Sequence, residues 1–188
     1  MKSLEHLFFI ALLPPKEIQS EITQIKQYFA QNYDSRHALK SPPHITLQPP
    51  FKWSASDLKS LEQCCQSFAA QQLPFSVMLS GFNAFPPRVI YVDVVKTVEL
   101  IALQTHLVTH LDDYLELPSN NSRVRPFTPH MTVAFRDLTR KNFRVAWTEF
   151  QNQTIQFEFF ARQLTLLVHT GKHWQIQQEF WFAKPATI

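Results

Sequence analysis

The chain carries one short pattern twice, as Pro43-His44-Ile45-Thr46-Leu47 and as Pro129-His130-Met131-Thr132-Val133. With 8 His and 13 Pro among 188 residues, a shuffled chain would hold Pro-His-x-Thr only about 0.04 times, so two copies are a constraint rather than an accident. The pattern constrains the backbone first. Apolar and polar residues alternating with a period of two describe a strand with one buried and one open face. Ile45 and Leu47 then point inward, as do Met131 and Val133. His44 shares the opposite face with Thr46, and His130 shares it with Thr132. Proline ahead of each histidine suits the first position of a strand, where its missing N–H costs no ladder hydrogen bond. Two such strands facing each other across a cleft would surround a small anion with two imidazoles and two hydroxyls. Histidine titrates close to neutral pH, so one ring can take a proton while the other gives one.

The length fits one folded unit spanning 1–188, with enough chain for a real core. Hydrophobic residues make up 45% and Phe alone occurs 17 times, which describes a globular rather than a disordered chain. The net charge of +3 tolerates an anionic substrate but is not the basic load of a protein that wraps duplex nucleic acid. Glycine occurs only as Gly81 and Gly171. A glycine-rich phosphate loop and a dinucleotide fingerprint are therefore excluded, and neither a nucleoside triphosphate nor a nicotinamide cofactor is expected. The two cysteines, Cys64 and Cys65, are neighbours, a poor disulfide pair without metal-ligand spacing. A reduced, cytoplasmic setting is the expectation. Lys2 and the apolar run 7–13 faintly imitate a secretion signal. Glu5 and His6 interrupt the approach and no small-residue cleavage site follows, so a buried strand is the better reading. No stretch is long enough to span a membrane as a helix.

Periodicity predicts a strand over 5–13, ended by Pro14-Pro15, and an amphipathic helix over 16–33 carrying Ile18, Ile22, Ile25 and Phe29 on one face. A short strand follows from His44 to Gln48. Ser54-x-x-Asp57 resembles a capping box ahead of a helix marked by Leu58, Leu61, Cys65 and Phe68. Strand-like runs at 74–82 and 88–95 meet around Pro86-Pro87. The scheme then repeats: a helix over 97–116, a polar loop 118–124, the second motif, and a helix from about Thr139. Strands at 154–161, 163–169 and 174–182 close the chain. Strand, helix, motif strand, helix thus occurs twice, and such duplication predicts two lobes related by an approximate two-fold axis.

The doubled pattern resembles the two-histidine (2H) phosphoesterases, specifically the branch of 2′-5′ RNA ligases and RNA 2′,3′-cyclic phosphodiesterases. Flanking segments agree: 8–15 is similar to that branch's opening strand and turn, 81–92 to its central hairpin, and Arg125-Pro126-Phe127-Thr128-Pro129-His130 to its approach to the second motif. The resemblance implies an α+β, bilobed fold, with antiparallel-rich sheets facing a central cleft and helices outside. It implies metal-independent hydrolysis of a 2′,3′-cyclic phosphate at an RNA 3′ end to a 2′-phosphate, and reversible 2′-5′ ligation. Carried over by position, His44 is the acid and His130 the base, although the sequence itself does not distinguish the two roles.

Thr46 and Thr132 are expected to donate hydrogen bonds to phosphate oxygens, against the alternative of ordinary strand threonines. Arg125 and Arg136 bracket the second motif and offer guanidinium forks matched to phosphate, or else are solvated surface arginines. Phe51 and Phe127 are candidates for base stacking, with core packing as the competing fate in so Phe-rich a chain. His106 and His110 have the i, i+4 spacing of a metal-binding helix, but Leu107 stands where the zinc-protease pattern needs Glu. A helix-surface or lobe-contact role is the better reading, and no metal is expected. His6, His37, His169 and His173 show no partner in the sequence. The expected partners are an RNA 3′ end or a small cyclic nucleotide, and the expected state is a monomer. Two competitors stay open: the same chemistry on a small nucleotide such as ADP-ribose cyclic phosphate, and a non-catalytic RNA-binding module.

Overall fold

A computed structural model describes residues 4–115 and 126–184. The chain starts with strand β1 (Glu5–Leu12) and helix α1 (Lys16–Asn32), followed by a 3-10 turn at His37–Lys40. Next come β2 (Ile45–Ser54), α2 (Leu58–Ala69), β3 (Phe75–Phe85), β4 (Val89–Val94) and α3 (Val98–Leu115). After the second motif strand β5 (His130–Ala134) follow α4 (Arg140–Phe150), β6 (Gln156–Ala161), β7 (Gln163–His169) and β8 (Trp174–Trp181). Two four-stranded sheets result, ordered β2-β1-β7-β8 and β5-β4-β3-β6, with antiparallel pairing throughout. This is the α+β architecture that the resemblance implies.

The two orders correspond element by element. Each sheet has a motif strand at one edge, β2 or β5, hydrogen-bonded to the strand one helix earlier in the chain, β1 or β4. The predicted duplication is therefore real as β1-α1-β2-α2 and β4-α3-β5-α4. The lobes are not contiguous halves, however: β3 leaves the first half to pair with β4, and β7 returns from the second half to pair with β1. The motif strands β2 and β5 also touch each other, which sets their open faces across one cleft.

A continuous apolar cluster joins both sheets to all four helices. In β1, Phe8, Ile10 and Leu12 point into that cluster, while Phe9 and Ala11 join Leu167 on the opposite face with Trp174 packed against them. Each such large side chain, fully buried, contributes about 1.5–3 kcal/mol. Ile45, Leu47, Met131 and Val133 are all fully buried, and the intervening His44, Thr46, His130 and Thr132 are half-buried. The period-two alternation of the motifs is thus realised in three dimensions.

Three local expectations need correction. The first motif strand extends to Ser54, through Pro49-Pro50, well beyond Gln48. Proline is tolerated there because β2 is an edge strand, and β2 bulges at the pair: Phe8 pairs with Phe51 and Ile10 with Gln48, so the single Phe9 of β1 faces two prolines. The Ser54 hydroxyl accepts from Ser56 N at 3.2 Å and caps a 3-10 turn at Ala55–Asp57 instead of α2. Thr139 does cap α4, accepting from Asn142 N at 3.1 Å. Phe51 is only 5% exposed, its ring 6.4 Å from Phe8 within the core, so it offers no face to a base.

Candidate active site

His44 and Thr46 from β2 and its approach, and His130 and Thr132 from β5, line a single cleft of about 610 Å³. The two imidazoles are held in the same way. Nδ1 of His44 lies 2.6 Å from the Pro42 carbonyl, and Nδ1 of His130 lies 2.7 Å from the Thr128 carbonyl. A carbonyl oxygen only accepts, so Nδ1–H donates in both cases. The tautomer is thereby set, and Nε2 is the nitrogen left for substrate. Each carbonyl belongs to the residue two positions upstream, just before the motif proline. Aromatic rings brace the imidazoles: Phe9 lies 4.8 Å from His44, and Phe85 and Tyr91 each lie 5.1 Å from His130.

The two rings differ electrically. Burial, followed by the positive charge of Lys26, pushes His44 down to about 4, opposed by the Pro42 hydrogen bond and reinforced by the charge of His130. Burial also lowers His130, but the Thr128 carbonyl and the Asp93 carboxylate pull it back. Asp93 is the cross-strand partner of His130 on β4. Of the two, His130 therefore holds a proton more readily in the empty cleft.

Thr46 and Thr132 stand two residues beyond the histidines on the same faces, and neither hydroxyl has a protein hydrogen-bond partner among the described residues. Arg136 also lines the cleft. Its backbone adopts φ 59°, a left-handed conformation that costs a non-glycine residue of order 1–3 kcal/mol where it persists. Asp137 N closes the turn by donating to the Phe135 carbonyl at 2.8 Å. The guanidinium Nη1 stands 3.4 Å from Nε2 of His37 and over the Phe135 ring. Arg125 lies outside the described residues. Phe127 is half-buried, packed against the core, and is not among the residues lining this cleft.

The sequence reading missed several cleft residues. His37 and Lys40 enter from the 3-10 turn before β2, and His169, Lys172 and Trp174 from the β7–β8 hairpin. Phe85 and Phe135 supply aromatic wall. The 3-10 turn is tied to the far side by Asp137, whose carboxylate accepts from the His37 and Arg36 backbone N–H groups, each at 2.8 Å, and from Ser35 Oγ at 3.0 Å. His37 is lowered by burial first and then by the Arg136 and Lys40 charges, with Asp137 acting in the opposite sense. The one hint in the sequence was proximity: His37 and Lys40 lie just upstream of the first motif.

Among the described residues no group of three or more His, Cys, Asp or Glu is arranged to hold a metal ion. His110 instead bridges helices, its Nε2 3.2 Å from both Ser67 Oγ and the Cys64 carbonyl, and its ring stacked on Tyr114 at 4.4 Å. No helix among the described residues is long and apolar enough to cross a membrane.

Two antiparallel sheets presenting one histidine–threonine pair each define the architecture of the two-histidine phosphoesterases. The sequence model of the 2′-5′ RNA ligase superfamily matches residues 14–173, and the chain belongs to that superfamily. A relative from Geobacillus kaustophilus named "Putative phosphoesterase" is 28% identical over 174 residues, covering 91% of this chain and 93% of that protein. Another of that description, from Geobacillus thermodenitrificans, is 30% identical over 154 residues, covering 79% of this chain and 80% of its own. Among solved structures, Escherichia coli LigT complexed with 3′-AMP superposes with a TM-score of 0.66 at 19% identity, covering 96% of this chain and 100% of that one. That likeness is one of fold.

Proposed function

We propose that the cleft hydrolyses a 2′,3′-cyclic phosphate at an RNA 3′ end, leaving a 2′-phosphate and a free 3′-hydroxyl, and that an RNA 5′-hydroxyl attacking in place of water forms a 2′-5′ linkage reversibly, with the same 3′ oxygen leaving. The observation that carries this reading is the matched pair of imidazoles. Both are tethered by Nδ1 to a backbone carbonyl, and both keep Nε2 for the same cleft. Water attacks phosphorus while a neutral imidazole takes its proton. The bond from phosphorus to the ribose 3′ oxygen breaks, and the charged imidazole protonates that oxygen. In reverse the two rings exchange roles, as microscopic reversibility requires.

Thr46 and Thr132 donate their hydroxyls to the non-bridging oxygens, and Arg136 meets the charge that builds on them. The cleft lining includes Lys40, Arg136 and Lys172 but no carboxylate among the described residues, which suits a polyanion. The roles carried over by resemblance, His44 as acid and His130 as base, require His44 to gain a proton that the empty cleft disfavours. A phosphate seated between the rings supplies the negative charge that raises both.

The test is a panel of RNAs and mononucleotides ending in 2′,3′-cyclic phosphate, assayed with EDTA present. Turnover to the 2′-phosphate, unchanged by EDTA, is the expected result. Faster turnover of the mononucleotides favours the small-nucleotide reading, and binding without turnover favours a non-catalytic RNA-binding module. Activity lost to EDTA would replace the two-histidine mechanism with a metal-dependent one. Thr46→Val and Thr132→Val are each expected to lower kcat/KM roughly 10- to 100-fold, the worth of one hydrogen bond to a charged group at about 1.5–3 kcal/mol.

A further inference from the structure

Helix α1 buries a stripe made of Ile18, Ile22, Phe29 and Ala30, and in the middle of that stripe sits Lys26, 2% exposed. No ion pair neutralises it among the described residues. Its Nζ donates to the Ser41 carbonyl at 3.1 Å. The next carbonyl along the chain, that of Pro42, is the one that accepts from His44 Nδ1 at 2.6 Å. Pro42 and Pro43 have no N–H of their own, so donors that fix this turn must reach its carbonyls from elsewhere. Lys26 is such a donor, placed directly behind the segment that aims His44.

A buried cation is costly, and an apolar residue of the same length would pack there at less expense. The surroundings do not relieve it. Lys40 and His173 line the small cavity of about 290 Å³ that Lys26 shares with the Ser41–Pro43 turn, and no carboxylate lines it among the described residues. On the cleft side, His44 faces His130 with Lys40, Arg136, His169 and Lys172 further around the wall. The second motif has the opposite arrangement, with Asp93 paired across the strands from His130.

We propose that Lys26 is a positioning residue for His44: its ammonium fixes the Ser41–Pro43 turn through the Ser41 carbonyl and sets a positive charge behind the ring, making the two histidines electrostatically unequal. The inference rests on the two-histidine reading of the cleft. It means that His44 takes up its proton together with the anionic substrate rather than before it. Burial lowers Lys26 itself to about 7, so it is charged throughout the range in which His44 titrates and acts on it there.

The experiment follows the His44 ring by NMR titration in the substrate-free protein, alongside the pH profile of kcat/KM. Lys26→Met preserves length and helix propensity while removing the charge, Lys26→Gln is a second neutral variant, and Lys26→Arg keeps the charge. In either neutral variant the His44 midpoint is expected to rise by about one unit toward the ordinary histidine value. The acid limb of kcat/KM should rise with it, and Lys26→Arg should stay near wild type. A folded neutral variant whose His44 titrates as in wild type overturns the proposal. If the midpoint moves but no variant, wild type included, turns over a cyclic phosphate, the catalytic reading fails while the charge coupling stands.

Discussion

Replacing either His44 or His130 with alanine is expected to lower kcat/KM by roughly 10²–10⁴-fold, the range that one well-placed general acid or base supplies. The loss should be similar for the two positions, because each proton transfer needs its own ring. Replacing both should cost little more than replacing one. Once either transfer is lost the other ring has nothing to complete, and residues that act as a unit are far from additive. Folding should survive. Each ring is half-buried at a cleft wall, and its contacts with Phe9, or with Phe85 and Tyr91, are edge or tilted aromatic contacts worth about 0.5–1.5 kcal/mol. Steady-state assays on a cyclic-ended substrate, with thermal unfolding as the control, check this. A folded single variant keeping a tenth of wild-type activity would remove that histidine from the mechanism.

How much of this site could be read from the sequence depends on what fixes each residue. His44, Thr46, His130 and Thr132 follow from strand alternation, because a period of two together with two buried apolar neighbours leaves them one face to occupy. That the two faces meet is a tertiary fact, set by β2 and β5 each lying at a sheet edge, and the repeated pattern only hinted at it. His37 was illegible because its link to Arg136 spans 99 positions and depends on a carboxylate, Asp137, that pulls the 3-10 turn across the cleft. Phe51 was misread for a simple reason. Adjacency to a motif in sequence says nothing about facing, and at Phe51 the proline bulge in β2 turns the ring into the core. Lys26 was equally hidden, since a lysine one turn after Ile22 looks like the solvated edge of an amphipathic helix. The fold was more legible because its helices and strands rest on long periodic runs. The interleaving of the lobes was not, because pairing of β3 with β4 and of β7 with β1 leaves no local signature.

The pH dependence of kcat/KM is expected to be bell-shaped and displaced to the acid side of an ordinary histidine pair, which would bracket 6.5. In the free enzyme the productive form carries one proton shared between two rings, so activity falls when both are charged and again when both are neutral. The lower limb belongs to the pair's second protonation, placed near pH 4 by the depressed His44. The upper limb belongs to the loss of the single proton from His130. Because burial lowers that ring too, the limb falls below 6.5 rather than above it. Activity should therefore be well past its maximum at pH 8, falling tenfold for each further pH unit on the descending limb. Stability changes in the opposite sense. His44 binds its proton less readily folded than unfolded, so the unfolded state takes up more protons between 6.5 and about 4, and the fold loses stability as pH drops through that window. Optimal turnover thus lies where the native state is already being weakened, with substrate as the compensating anion. Binding of a non-hydrolysable phosphate should raise the unfolding midpoint more at pH 5 than at pH 8. An equal rise at both would mean that neither histidine takes up a proton when the anion binds.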